Sequence, residues 1–147
     1  MGRSIRNVIN KVRQWLLRMR TRGAGGGGGS LCFTARGIGT GLVRTTQSAG
    51  VSFQFKTGHG FYRPHTGPGG VVTDLRPTGL TPDAIETGIV QDILAFRAAG
   101  GSLPRVGTPG FIRPLERVSH VSGFRIRYRA VELGPNSIGV STYYLIP

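Results

Sequence analysis

Between Phe124 and Val131 the chain alternates strictly, with Phe124, Ile126, Tyr128 and Ala130 on one side and Arg125, Arg127, Arg129 and Val131 on the other. Period-two alternation rich in aromatic and β-branched residues reads as a half-buried strand. Gly134-Pro135-Asn136-Ser137 is turn chemistry, and Ile138 to Leu145 reads as a second strand, so a β-hairpin is predicted. If Leu133 pairs with Ile138, antiparallel geometry sets Arg129 opposite Thr142 and Arg127 opposite Tyr144. A one-residue slip brings Ser141 and Tyr143 to that face instead. Either register gives a cationic sheet face with hydroxyl donors. Such a face suits a phosphodiester, because a guanidinium is a rigid fork of donors that stays charged at any working pH. The competing structural reading is a solvated face or an edge strand defended by charge.

The rest of the composition points the same way. The 147 residues make one domain, with an appendage at most. Seventeen Arg and two Lys, Lys11 and Lys56, face six acidic residues, for a net charge of +13 and a pI of about 11.6. That balance implies a polyanionic partner: nucleic acid, an anionic membrane surface or an acidic protein. Six acidic residues leave little room for paired-carboxylate catalysis. A lone cysteine, Cys32, excludes an intramolecular disulfide and a cysteine-based zinc site; it is expected as a small apolar strand residue. No stretch approaches the ~20 apolar residues of a membrane span, and the first residues lack the apolar core and cleavage site of a signal peptide.

Residues 1–22 form a basic amphipathic helix by pattern. Val8, Ile9, Val12, Trp15, Leu16 and Met19 make one apolar stripe, and Arg6, Lys11, Arg13, Arg18 and Arg20 lie opposite. Packing on the chain's own sheet, contact with a membrane surface or guidance into a cell, and membership of an upstream region are its three readings. Residues 23–30 are a glycine-rich linker, without the Lys-Ser/Thr that completes a phosphate loop. Residues 31–147 are the folded domain. In it, Leu31 to Ala35 and Val51 to Thr57 read as strands, Arg36 to Gly41 as turn glycines, and Thr57 to Gly70 as a Gly/Pro/His loop. Thr81 caps a helix with Pro82 at its first position and Asp83 in its first turn. Ile85, Ile89, Ile93 and Phe96, with Val90 and Leu94, form its buried face, and Gly100-Gly101 ends it. Leu103 to Pro114 reads as loop. The expected class is α+β with an antiparallel sheet.

The histidines are His59, His65 and His120, two of them in the Gly/Pro loop where a scaffold can present catalytic groups. Without convincing further ligands for a metal, an acid/base role fits imidazole better. RNA cleavage by its own 2′-hydroxyl needs a base for that hydroxyl, an acid for the 5′-oxygen and donors for the phosphorane charge. His, Arg/Lys and Ser/Thr/Tyr supply these without a metal. A structural role for either loop histidine is the alternative.

Gly58-His59-Gly60 with Arg63 and His65, then Thr78-Gly79-Leu80-Thr81, then Tyr128-Arg129-Ala130, then Ile138 to Tyr144 come in the order and spacing of one toxin family. Over about residues 51–147 the chain resembles the C-terminal toxin domains of Rhs and contact-dependent growth-inhibition polymorphic toxins, which look like members of the barnase–EndoU–colicin–RelE (BECR) RNase superfold. The fold this implies is an N-terminal helical part packed on a roughly four-stranded antiparallel sheet. The function it implies is a metal-independent endoribonuclease toxin, often acting on tRNA, with no cofactor. Such a domain is carried by a delivering Rhs or filamentous protein upstream, acts in the cytoplasm of a competitor bacterium and is neutralised by an acidic cognate immunity protein. The family histidine best matches His65, its basic neighbour Arg63, the YRA arginine Arg129, and the carboxy-terminal hydroxyls Thr142 and Tyr143 or Tyr144. Pro64 separates Arg63 from His65 where the pattern has them adjacent, which leaves His59 as the alternative counterpart. Ser141 stands where the pattern has Gly.

The combined expectation makes His65 the general acid or base. Arg63, Arg127 and Arg129 clamp the phosphate, Thr142 and Tyr144 orient or donate to it, and Lys56, Arg125, Ser141 and Tyr143 contact the RNA. Two rival readings stand beside it. An ADP-ribosyltransferase or NAD-consuming toxin would need a site Glu, and Glu132 is the acidic residue on the hairpin. A non-catalytic basic RNA-binding module would use Phe53, Phe55, Tyr128 and Tyr143 to stack on bases.

Overall fold

The computed structural model describes residues 30–147. The helix expected over 1–22 and nearly all of the linker lie outside the described residues. The strands are β1 (Thr34–Arg36), β2 (Val43–Ser48), β3 (Val51–Phe55), β4 (His65–Thr66), β5 (Val72–Thr73), β6 (Leu115–Val121), β7 (Phe124–Gly134) and β8 (Ser137–Leu145). The helices are α1, a single turn over Thr57–Gly60, and α2 (Pro82–Ala98). Six strands form one sheet in the order β1-β2-β3-β8-β7-β6, and β4 and β5 make a separate two-stranded ribbon.

Local chemistry accounts for the joints. The β2–β3 and β6–β7 hairpins turn on Ala49-Gly50 and Ser122-Gly123, all four at positive φ. Two central residues of that hand match the twist of the flanking strands. Helix α2 begins as its sequence dictates: Thr81 Oγ1 accepts from the Ala84 N–H at 3.1 Å, with Pro82 at the first position and Asp83 in the first turn. It ends at Gly100, which takes φ +94.

Helix α2 covers one face of the sheet. Ile85, Ile89, Val90 and Ile93 pack with Phe53, Phe55, Ile126, Tyr128, Ala130, Ile138, Val140 and Tyr143 in one core, each large side chain contributing about 1.5–3 kcal/mol by leaving water. The alternation read for β7 holds: Ile126, Tyr128 and Ala130 are buried, while Arg125 and Arg129 are exposed and Arg127 half-buried. The opposite face of the sheet is therefore the polar one.

Val140 and Tyr143 are both in the core, at 1% and 0% exposure, although three residues apart in one strand. Strict alternation forbids that. A bulge resolves it: Ala130 pairs with Val140 but Arg129 pairs with Thr142, so Ser141 is the extra residue. Ser141 and Thr142 are consequently both half-buried on the polar side. A second irregularity at Leu133 puts Glu132, not Leu133, opposite Ile138. The two shifts cancel, so Arg129 faces Thr142 and Arg127 faces Tyr144, the first of the two registers considered above.

The expected architecture is corrected on three counts. The sheet has six strands rather than about four, it is mixed rather than antiparallel because β3 and β8 run parallel, and the helix that covers it lies mid-chain. A helical N-terminal part on a four-stranded antiparallel sheet, the BECR-like arrangement, is not this fold. Two strands of the six-stranded sheet escaped the sequence reading because they bury polar side chains. β2 turns Arg44 and Thr46 inward, and β6 buries Ser119 and half-buries Arg117, so neither shows an apolar period of two. Cys32 is exposed and outside any strand, contrary to expectation.

Candidate active site

The loop after β3 folds onto the end of β8. Its first turn, α1, carries His59 between two glycines, and both are sterically required. A Cβ on Gly58 would fall 2.3 Å from the Thr40 backbone, and one on Gly60 would fall 2.8 Å from the Tyr143 ring. The Gly58-His59-Gly60 motif is thus what lets this turn press against its neighbours. Beneath it lies a polar network that the sequence reading missed. Glu86 of α2, fully buried, accepts from Thr57 Oγ1 at 2.6 Å, Tyr143 Oη at 2.6 Å and Arg44 Nη1 at 2.8 Å. Arg44 also pairs with Asp83 and lies 4.2 Å from the Phe33 ring centroid. Burial pushes the Glu86 carboxyl up, against the hydrogen bonds from Thr57 and Tyr143 and the charge of Arg44. Burial and the nearby Glu86 push the Tyr143 phenol well above its ordinary value, so Tyr143 is a fixed donor. The carboxylate ties α1 to β8 from below.

Above the sheet, His65 of the β4–β5 ribbon lies flat on Tyr144, with ring centroids 3.6 Å apart and planes 7° from parallel. Arg63 Nη1 donates to His59 Nδ1 at 3.4 Å; since a guanidinium only donates, that ring nitrogen must be the acceptor. Thr142 Oγ1 donates to the His59 carbonyl oxygen at 3.4 Å. Burial lowers the His65 pKa, and the charges of Arg129 and Arg63 lower it further, so the imidazole is neutral at neutral pH and ready to accept a proton. A pocket of about 210 Å³ opens beside the stack, lined in part by His65, Thr73, Arg127, Tyr144 and Ile146.

Charge accounting sharpens the picture. Among the described residues all six carboxylates are in ion pairs: Asp83 and Glu86 with Arg44, Asp74 with Arg76, Glu132 with Arg105, Asp92 with Arg117, and Glu116 with Arg129. Among the described residues Lys56, Arg63, Arg125 and Arg127, carried by the sheet's polar face and the loop above it, keep no carboxylate partner, and neither do Arg36, Arg97 and Arg113. Arg129 is held by Glu116 at 2.8 Å through Nε, both side chains being nearly half exposed.

Of the residues named from sequence, the structure brings His59, Arg63, His65, Arg127, Arg129, Thr142 and Tyr144 together. Lys56 and Ser141 lie on the same face, around an adjoining hollow. Arg125 is one row further along β7, donating to the Pro147 main-chain oxygen at 2.9 Å, and His120 stands opposite it. Tyr143 is not on this surface: it is fully buried, as are Phe53, Phe55 and Tyr128, so none of the four can stack on a base. Glu132 is engaged with Arg105 at 3.0 Å. Glu116 was missed because β6 was not recognised. Glu86 left a visible signal, a carboxylate inside the buried arc formed by Ile85, Ile89, Val90 and Ile93. Among the described residues no group of three or more His, Cys, Asp or Glu is gathered as metal ligands, and no helix is long and apolar enough to cross a membrane.

No family model matches the chain, and no curated protein or solved structure matches it. What the site can do therefore rests on its own chemistry. It offers a neutral imidazole, a second imidazole bound to a guanidinium, unpaired cations and a hydroxyl, all on one open face.

Proposed function

We propose that this domain is an endoribonuclease that cleaves RNA by attack of the 2′-hydroxyl on the adjacent phosphodiester. The observation that carries the reading is the meeting of His65, Tyr144 and Arg63 with Arg127, Arg129 and Thr142 on an open cationic surface. His65, held neutral, takes the 2′-hydroxyl proton as the 2′-oxygen bonds to phosphorus. His59 acts as the imidazolium, with Arg63 turned from its Nδ1 to the phosphate, and gives a proton to the departing 5′-oxygen, leaving a 2′,3′-cyclic phosphate and a 5′-hydroxyl. Arg63, Arg127 and Arg129 hold the phosphate and the charge that grows on it, and Thr142 donates to it. No step in this scheme calls on a metal or cofactor.

Transfer RNA is the substrate class suggested by the toxin resemblance. On the same reading, an acidic immunity protein would cover this cationic face in the producing cell. An Rhs or filamentous carrier would deliver the domain to the cytoplasm of a target bacterium. The resemblance contributes these expectations through its motifs, of which Arg63, His65, Arg129, Thr142 and Tyr144 lie at this site, and not through the fold it implied.

The test is incubation with bulk tRNA in EDTA at low salt, resolved on a denaturing gel beside His65→Ala. Fragments from the unaltered protein alone support the scheme. Fragments from both move the proton-handling role to His59. Intact RNA from both, with retention of RNA on the protein, replaces the enzyme with a binding module.

A further inference from the structure

Next to the candidate active site, the polar face of the sheet has a hollow, and its cause can be read from the register. Gly139 of β8 pairs with Val131 on one side and Gln54 on the other, so the middle of that row has no side chain of its own, and the Leu133 side chain leans against Gly139, about where a Cβ would stand. The hollow encloses about 180 Å³ and is lined by Gln54, Lys56, Val131, Leu133, Gly139 and Ser141, with Val140. This is smaller than the ~300 Å³ at which pockets for whole ligands begin, a size suited to one ring system. Its walls are apolar through Val131 and Leu133, and its polar groups are an ammonium, an amide and a hydroxyl. The Ser141 bulge joins it to the catalytic row: Ser141 lines the hollow while its neighbour Thr142 reaches the His59 carbonyl.

We propose that this hollow is a base-recognition subsite, which rests on the RNA-cleavage reading above. It would hold an unpaired base of the strand whose phosphate lies against Arg129 and Thr142, and it would favour keto bases, guanine and uracil, over adenine and cytosine. Lys56 offers only donors, and on this reading it meets O6 of guanine or O4 of uracil. Adenine and cytosine present an amino group there, donor against donor. The Gln54 carbonyl accepts from the ring N–H that only the keto bases carry. Val131 and Leu133 supply the apolar walls for the ring. The cations of the same face, Arg127 and Lys56, make a polyanionic strand the occupant that complements its charge.

Binding tests this without cleavage. Fluorescein-labelled uridine and cytidine octamers are titrated into His65→Ala protein at fixed low salt, with Lys56→Ala and Gln54→Ala introduced separately on that background. The uridine octamer is expected to bind about tenfold more tightly than the cytidine octamer, and each added substitution should erase most of that ratio. Lys56 is exposed and Gln54 half-buried, so both variants should fold, which a thermal melt verifies. Equal affinity for the two octamers, or a ratio that survives both substitutions, overturns the proposal. A uridine preference lost in the variants, from a protein whose unaltered form cuts no RNA, would keep the subsite and discard the nuclease.

Discussion

His65 lies flat against Tyr144, its imidazole 3.6 Å from the phenol ring and nearly parallel to it. The stack fixes the plane of the imidazole and removes water from one of its faces. Burial is the foremost cause of its lowered pKa. The same contact therefore aims the group and keeps it unprotonated. Tyr144→Phe preserves the plane and should leave RNA cleavage within a few-fold of the unaltered protein. Tyr144→Ser removes the plane and should cost about tenfold to a hundredfold, measured as kcat/KM on a short RNA. His65→Ala should cost about 10²–10⁴-fold with no change in the unfolding midpoint beyond a few degrees.

The pH dependence has a definite sign. A lowered His65 pKa means that the active, neutral form persists below the ordinary histidine value of about 6.5. Activity should accordingly rise with pH along an acid limb whose midpoint lies below that value. Arg63 is one of the charges holding the pKa down, so Arg63→Gln should move the acid limb of the kcat/KM profile upward, whatever it does to the plateau. An unmoved limb would mean that His65 is not the group that titrates.

Glu86 anchors the site from the core side. Glu86→Ala would strip Thr57 and Tyr143 of their acceptor and leave a nearly buried Arg44 with Asp83 alone. Breaking a buried pair in this way costs about 3–5 kcal/mol, to be read from urea unfolding. Glu86→Gln keeps an acceptor for the hydroxyls and should lose less.

The close approach at Gly60 is a separate check on the same corner. Gly60→Ala would set a methyl group against the Tyr143 ring at 2.8 Å, and that ring is fully buried and tethered to Glu86. Overpacking of this kind costs about 1–3 kcal/mol, and the shift of α1 needed to relieve it would lower cleavage as well as stability.

Salt should separate the binding surface from the rest of the charge. Each phosphate contact on a single strand contributes about 0.7 to the slope of log affinity against log salt. Arg127→Ala should therefore lower that slope by roughly 0.7, whereas Arg97→Ala, on the helix that covers the other face, should leave it alone.

Much of the site was legible in the sequence because β7 follows the simplest rule a strand can follow. Its alternation placed Arg125, Arg127 and Arg129 on one face. The hairpin turn then placed Thr142 and Tyr144 beside two of them. Thr81, Pro82 and Gly100 likewise marked α2. The sheet's size and direction were hidden for the opposite reason: β2 and β6 carry Arg44, Thr46, Arg117 and Ser119 on the side that faces the protein, where the pattern calls for apolar residues. Tyr143 was misplaced because a bulge at Ser141 cannot be seen in a period-two count. The parallel pairing of β3 with β8 joins residues over eighty positions apart, and no local signal encodes it.

That pairing also sets a timetable. β8 lies between β3 and β7, so a growing chain that has not passed Ser137 holds only two half-sheets, β1-β2-β3 and β6-β7, each with an open edge. Thr142 and Tyr144 arrive on the strand that joins them. The candidate site is therefore complete only once that strand lies between the halves and joins them.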